Sequence, residues 1–547
     1  MAMRSSARER LSVYATIALV AMAWTWFAGK DVPWDALHYH VYAGYSALNE
    51  RLTVDLFPAG SQTYLNPYSH VPLYLMVRAG WPALAIGMTF ALIHSAMLCL
   101  VWELARGTCR RPDGTSPAIV SWAAIGLALF NPVLLQEVGS TFNDVTTGTL
   151  ALGGYVALVS AFAGGRISMV GIGGFLLGGA AAFKLSNAAL ALAPAVPLVW
   201  GAVTTTRQRI RATVVFAACA CIGALVVAAP WAWRLEQAFG NPVFPMLDGL
   251  FKSPGFAAVP AATAGSPPMA TVEMLGHVVK GLRDPRFIPA SLVDAMTRPF
   301  DILSARRFIH TEPMAADVRY AALLAIALVG LGALAWRRMK RSYVAPVTTL
   351  ESGRAFVYLV ISFASAWIIW LAISGNSRYF LPMACVAAVL VVAGLYRLFS
   401  AVPRFLAYSL IAVFGIQGAL LWLATDFRWN PQRWDGPWMQ VSVPPRLQTE
   451  PYLYLPMDTQ SQSFLLPWLA PGSAFMGITT DLHPDGFGGR RAKELLAANT
   501  GRLRMLKLVE TIESDGRPVL PNMSRFDFPL RRFGLQVDPD DCEFIRY

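Results

Sequence analysis

The sequence predicts a polytopic α-helical membrane protein of about eleven transmembrane helices, with a small extracytoplasmic α/β domain at the C-terminus. Three observations predict it. Hydrophobic residues make up 55% of the 547 positions and charged residues only 14%, whereas a soluble globular chain carries about 25% charge. Mean hydropathy is +0.46. Apolar runs of membrane-crossing length recur as far as position 424, with short basic clusters between many of them, and then stop.

The first run, 11–29, is long enough to cross a bilayer at about 1.5 Å per residue. Arg4, Arg8 and Arg10 precede it and no basic cluster follows, so it leaves the cytoplasm. Its exit, Lys30-Asp31-Val32-Pro33-Trp34, offers no small-x-small cleavage site, which makes it a retained span. Further spans are expected near 80–104, 118–136, 145–163, 167–183, 186–201, 212–231, 319–336, 356–373, 379–396 and 405–424. Counted from inside, they put the basic clusters at 106–111, 207–211, 337–341 and 397–404 on the cytoplasmic side, as the positive-inside rule requires. The 167–183 run carries Gly171, Gly173, Gly174, Gly178 and Gly179. Such residues allow close helix approach in lipid, or mark a helix broken around a polar site.

This count places a membrane domain over 1–424, with outer loops at 30–79 and 232–318, and a soluble extracytoplasmic domain over 425–547. In the first loop, 36–48 has near-helical spacing suited to a helix lying on the membrane surface. In the second, the proline-rich tract 253–268 reads as a mobile connection or a cover. In the tail, 489–511 shows helical periodicity, and Pro518–Leu520 and Cys542–Ile545 are candidate strands. Asp481 and His483 read as a surface turn before a metal site. The net charge of +12 belongs largely to the topological clusters, and no RNA- or DNA-binding motif accompanies it. None of the six cysteines forms a C-x-x-C pair, so neither a disulfide scaffold nor zinc is indicated.

The stretch Asp35-Ala36-Leu37-His38-Tyr39-His40-Val41-Tyr42 follows directly on the first span. A carboxylate just outside the hydrocarbon stays ionised and can face a reaction at the lipid boundary. The alternative is interface anchoring, for which tyrosine and histidine are also used. Few other charges sit at the outer span ends: Glu137 and Asp144 in one short turn, Lys184 after the glycine-rich run, and Arg378 in Gly375-Asn376-Ser377-Arg378-Tyr379. Charges placed there are functional candidates. An arginine offers a planar fork to a phosphate, a lysine offers a point charge, and a carboxylate can take a proton from an attacking hydroxyl. Displacing phosphate from the first carbon of a sugar needs both functions. The competing account is that Lys184 and Arg378 simply pair with Asp144 and Glu137 to lower the penalty of burial.

Taken together, these features resemble the GT-C superfamily of integral membrane glycosyltransferases, which includes protein mannosyltransferases and aminoarabinose transferases. The resemblance covers about 1–400 and rests on Asp35, Tyr64-Leu65-Asn66-Pro67-Tyr68, Asn143-Asp144, the Gly178–Asn187 stretch with Lys184, and Ser377-Arg378-Tyr379-Phe380-Leu381-Pro382. It implies transfer of a sugar from a polyprenyl-phosphate carrier to an extracytoplasmic glycan, lipid or protein acceptor. Asp35 then corresponds to the acceptor-activating base, and Arg378, with Lys184, to the phosphate ligands. Tyr64, Asn66, Asn143, Asp144 and Tyr379 fall in the substrate-binding stretches, and His38 and His40 are candidates for sugar hydroxyls or acceptor. No cofactor is expected. Some relatives place a divalent cation near the second acidic position, but Asn143-Asp144 in place of two acids disfavours one here. The alanine- and arginine-rich composition suggests a bacterial inner membrane. A transporter or flippase of an amphipathic substrate, a lipid-linked glycan polymerase or ligase, and a noncatalytic envelope component remain alternatives.

Overall fold

The computed structural model describes residues 7–256, 285–340, 347–479, 482, 484–509, 519, 527–538 and 541–547. Most of the tract 253–268, Asp481 with His483, and Pro518 with Leu520 lie outside them. The chain divides into two compact units. The first comprises Met1–Asp31, Gly87–Ala228 and Leu282–Arg433; the second comprises Val32–Ile86, Ala229–Gly281 and Trp434–Tyr547.

Among the described residues, seven helices are long and apolar enough to cross a membrane: Ala7–Ala28, Ala83–Thr108, Thr206–Phe239, Arg319–Trp336, Leu350–Ile373, Leu381–Phe399 and Pro403–Leu423. Ala118–Leu129, Ile167–Phe183 and Ala188–Gly201 are shorter apolar helices. The architecture is a multi-pass helical membrane fold, with seven helices of spanning length among the described residues where the sequence suggests about eleven spans. Two expected spans are interrupted. Within 118–136, the Asn131 side chain accepts from Val133 N and Leu134 N at 3.0 and 3.3 Å and starts a new helix, Pro132–Glu137. Within 186–201, a π-helical turn at Ala188–Leu192 and a 3-10 turn at Ala193–Ala195 precede the short helix Val196–Gly201. Pro194 and Pro197 withhold the amide donors that a continuous α-helix needs. Tyr155 Oη donates to Ala191 O at 3.0 Å, satisfying one carbonyl there.

Leu381–Phe399 is the innermost helix of the first unit, with 89% of its apolar window buried. It packs against Ala118–Leu129, Asn143–Ala161 and Arg319–Met339. The outer helices keep Leu19, Leu225, Leu328, Ile368 and Trp422 more than 60% exposed. So much uncovered apolar surface suits lipid rather than water. The glycine-rich run is one unbroken helix, Ile167–Phe183. A Cβ on Gly174 or Gly178 would collide with the Phe216 or Ala220 carbonyl of Thr206–Phe239, and one on Gly223 with the Phe175 carbonyl. The glycines therefore serve close backbone approach, not a break.

The second unit holds a parallel three-stranded sheet, Ala474–Phe475, Leu453–Pro456 and Leu503–Leu506 in spatial order. Leu56, from the segment 30–79, bridges Met476 in parallel beside it. The helical periodicity at 489–511 ends early: the helix is Gly489–Ala498, and Gly501, at φ +78°, turns the chain into the last strand. Cys542–Ile545 is not a strand; its neighbour Arg546 makes an isolated bridge to Ser442. The surface helix expected at 36–48 is instead largely buried inside the unit, as a π-turn Ala36–His40 running into Val41–Leu48. Gly44 leaves no room for a Cβ against His70 and Tyr74 of the next helical segment.

Candidate functional site

In the first unit, Glu137, Asp144, Lys184 and Arg378 converge. Asp144 lies in the first turn of Asn143–Ala161. Lys184 is the residue where Ile167–Phe183 stops, its backbone extended at φ −147°. Asn187 Nδ2 donates to Ala180 O at 3.2 Å and to Thr147 Oγ1 at 3.4 Å, pinning that helix end to the Asp144 helix. Arg378 follows a tight turn in which Gly375, at φ +60°, sits against the Phe287 carbonyl. The turn is locked by Arg378 N donating to Asn376 Oδ1 at 3.0 Å and Trp370 Nε1 donating to Asn376 O at 2.8 Å. Glu137 ends Pro132–Glu137, and Gly139 beyond it turns at φ +75° against Thr25.

The contacts are specific. Lys184 Nζ donates to Asp144 Oδ1. Arg378 Nη2 donates to Asp144 Oδ2 at 3.3 Å, and Arg378 Nε lies 3.5 Å from Glu137 Oε1. The guanidinium is flanked by the Phe142 and Trp429 rings at 4.2 and 5.0 Å, and the Lys184 ammonium sits 4.8 Å from the Tyr379 ring centroid. The carboxylate side chains are 0–1% exposed, whereas Arg378 and Lys184 are 9% and 18% exposed. The anions thus form the floor, and the cations form the side that a ligand can reach. Asn143 is buried beside them at the helix start. Phe380, next to Tyr379, is fully buried among Phe363, Trp367 and Trp370.

Sequence reasoning missed the aromatic walls. Phe142 and Trp429 read as ordinary interface aromatics, and only the Asp426-Phe427-Arg428-Trp429 run just past the last apolar segment hints at them. Arg428 fixes that run, donating to Gly29 O, Gln136 O and Val138 O at 2.8–3.1 Å. Among the described residues, no group of three or more His, Cys, Asp or Glu side chains is arranged to hold a metal ion.

In the second unit, Asp35 is half-buried at the entry to the Ala36–His40 turn. His38 stacks on Trp34 at 4.1 Å, and His40 on His70 at 4.3 Å. His38 Nδ1 accepts from Ser461 N at 3.0 Å, while the Ser461 and Ser463 hydroxyls donate to its carbonyl. Burial pushes the His38 imidazole down to about 4, against the opposing pull of Asp35, so the ring is neutral at pH 7. Its acceptor nitrogen is therefore available to Ser461 N.

Tyr64 lies in an aromatic core with Phe57, Phe239 and Phe244; its hydroxyl accepts from Phe57 N at 3.2 Å. Asn66 is half-buried and accepts from Tyr68 N at 3.1 Å, a local turn contact. Arg51 and Asp55, not singled out in the sequence, form a buried two-point ion pair. Asp55 also accepts from Tyr42 Oη and Phe475 N, each at 2.9 Å, tying the segment 30–79 to the sheet.

No family model and no curated protein matches the chain. Solved structures similar to it include ArnT from Cupriavidus metallidurans bound to undecaprenyl phosphate, at 13% identity over 76% of this chain and 65% of that one, with a TM-score of 0.43. The Archaeoglobus fulgidus oligosaccharyltransferase in its apo form is similar at 14% identity over 86% of this chain and 64% of that one, with a TM-score of 0.43. The A. fulgidus oligosaccharyltransferase AglB, in complex with an inhibitory peptide and a dolichol-phosphate, matches at 13% identity, 85% and 64% coverage and a TM-score of 0.42. The chain thus spans slightly less than two thirds of these three structures. At 13–14% identity and TM-scores of 0.42–0.43 the likeness carries no assignment of family. At such identities it says nothing of substrate or mechanism, which rest on the residues.

Proposed function

We propose that the protein is a membrane glycosyltransferase that moves a sugar from a polyprenyl-phosphate carrier to an extracytoplasmic acceptor by single displacement. The observation that carries this reading is the arrangement of Arg378 and Lys184 over the buried carboxylates of Asp144 and Glu137. A floor of anions holds two cations at fixed separation and presents their outward side to an incoming anion. A purely structural ion pair needs one partner each. Here two cations share Asp144 and the guanidinium also meets Glu137, which suits pre-organisation of a phosphate clamp.

In the reaction, the acceptor hydroxyl oxygen attacks the anomeric carbon and the bond from that carbon to the phosphate oxygen breaks. The electron pair leaves with the phosphate, whose charge Arg378 and Lys184 stabilise. The hydroxyl proton passes to Asp35. Because the leaving phosphate is already ionised, it needs no protonating acid, so one carboxylate base suffices. Tyr379, whose ring underlies Lys184, lies beside the donor. The extracytoplasmic side is assigned to 30–79, 232–318 and 425–547, and the membrane to a bacterial inner membrane.

The direct test is incubation of the purified protein with a panel of polyprenyl-phosphate sugars and membrane extract, followed by product identification by mass. A sugar-bearing product that requires both carrier and enzyme supports the reading. A substrate moved intact across sealed vesicles, with no glycosidic bond made, would instead select the transporter alternative.

A further inference from the structure

The second unit contains a cleft of about 1490 Å³, lined among the described residues by side chains between Arg446 and Tyr547. That exceeds the ~300–1,000 Å³ of an ordinary small-molecule site. Two of its lining side chains are set apart by their chemistry. Tyr454 and Gln462 are each only 2% exposed, yet Tyr454 Oη and both polar atoms of the Gln462 amide have no hydrogen-bond partner among the described residues. Each such buried group left unmet costs about 1–3 kcal/mol. Gln462 is moreover held at φ +49°, a backbone region unfavourable for a residue with a side chain.

The remaining polar wall carries ion pairs. Arg504 sits 4.8 Å from the Tyr452 ring and pairs with Asp541 at 2.9 Å, while Arg446 lies 3.6 Å from Glu543. Those two arginines are already matched, and Arg502 and Arg546, also on the wall, are exposed to solvent; the buried unmet hydroxyl and amide are uncharged. What the cleft offers is a hydroxyl that donates and accepts, an amide that does both, and flat tyrosine and guanidinium faces. Sugars carry adjacent hydroxyls that both donate and accept, on rings with apolar faces.

We propose that this cleft binds a neutral carbohydrate chain, which, on the glycosyltransferase reading above, is the acceptor. Gln462 also links the cleft to the Asp35 turn. It stands between Ser461 and Ser463, whose hydroxyls hold the His38 carbonyl three residues beyond Asp35. A sugar engaged by the Gln462 amide is thereby coupled through two hydrogen bonds to the segment that carries the proposed base.

The test is binding without any donor. Full-length protein in nanodiscs is titrated with linear glucan, mannan and chitin oligomers and with a neutral extended peptide, and binding is read by saturation-transfer NMR and calorimetry. At least one neutral oligomer is expected to bind, and Tyr454→Phe to weaken it about 3- to 10-fold, the worth of one hydrogen bond. Because the Tyr454 hydroxyl has no hydrogen-bond partner among the described residues, its removal is expected to leave thermal stability unchanged or raised. Gln462→Ala provides a second loss of binding. No binding by any oligomer, binding of the peptide alone, or unaltered affinity in both cleft variants overturns the proposal. Since no donor is present, these outcomes are independent of transfer: binding retained with no transferase activity would refute the glycosyltransferase reading and leave the cleft standing.

Discussion

Arg378 Nη2 donates to Asp144 Oδ2 at 3.3 Å across 234 residues of sequence, while Lys184 Nζ donates to the other oxygen of the same carboxylate. One buried anion thus sets the spacing of two cations.

Arg378→Lys keeps the charge but loses the planar fork. Arg378→Ala loses both, and is expected to weaken binding of a polyprenyl-phosphate analogue by roughly 10- to 100-fold, the worth of a hydrogen bond to a charged group. The lysine variant should fall between it and wild type. Equal affinity in wild type and Arg378→Ala, both shown to be folded, contradicts the phosphate role.

Asp35 is half-buried at the start of a helical turn and makes no side-chain cap there, so Asp35→Asn is expected to leave the turn intact. Turnover should drop by about 10²–10⁴-fold, the range for loss of a positioned proton acceptor, with donor-analogue binding unchanged. Near-normal turnover at matched expression removes Asp35 from the mechanism.

The convergence of Lys184, Arg378, Asp144 and Glu137 was legible because charges at the ends of apolar runs have few ways to be satisfied other than one another. The walls around them were not: Phe142 and Trp429 look like any aromatics at a membrane boundary. The grip of Ser461 and Ser463 on His38 spans 423 and 425 residues, and nothing in either short segment signals the other. Hydropathy averaging hid the Asn131-Pro132 break and the Pro194 and Pro197 turns, since both sides of each interruption are equally apolar. Tyr64, singled out for its place in a motif, is buried with Phe57 and Phe244, a packing its short motif does not signal. The glycine-rich run admitted two readings, and the carbonyls of Phe216 and Ala220 against Gly174 and Gly178 select close packing.

That packing predicts a matched pair of variants. Gly178→Ala places a methyl group against the Ala220 backbone, which cannot yield as a side chain can. It is expected to destabilise the protein by about 1–3 kcal/mol, as overpacking does. Gly330→Ala, in a helix with nothing within 4 Å of the added carbon, is expected to be neutral or stabilising. A Gly178→Ala protein as thermostable as Gly330→Ala in the same detergent argues against the close helix contact.

The depressed His38 value has a signed consequence. With the folded imidazole at about 4 and the free value at 6.5, the unfolded chain binds the extra proton first. The stabilisation from His38 is therefore complete above pH 6.5 and is lost as pH falls through 4, by up to about 3 kcal/mol. His38→Asn keeps an acceptor near the Nδ1 position without titrating. Wild type should lose melting temperature relative to this variant between pH 6.5 and 4. Parallel curves over that range show that the ring is not buried in neutral form.

Sidedness turns on the parity of the crossings. An odd number, whether seven or eleven, carries the tail to the opposite face from the N-terminus, and an even number returns it. Cys542 is an exposed thiol in the tail, and Ser61 is an exposed position in the segment 30–79, proposed to lie outside. In sealed vesicles with the outer face outward, a membrane-impermeant maleimide is expected to label Cys542 and a Ser61→Cys variant alike, with peptide mapping separating them from Cys221 in the Thr206–Phe239 helix. Asp35 lies on the same short loop as Ser61 and the proposed carbohydrate cleft lies in the tail, so labelling of both from outside is what the acceptor chemistry requires. Labelling of Cys542 only after permeabilisation puts the tail in the cytoplasm, makes the number of crossings even, and removes an extracytoplasmic acceptor from the cleft.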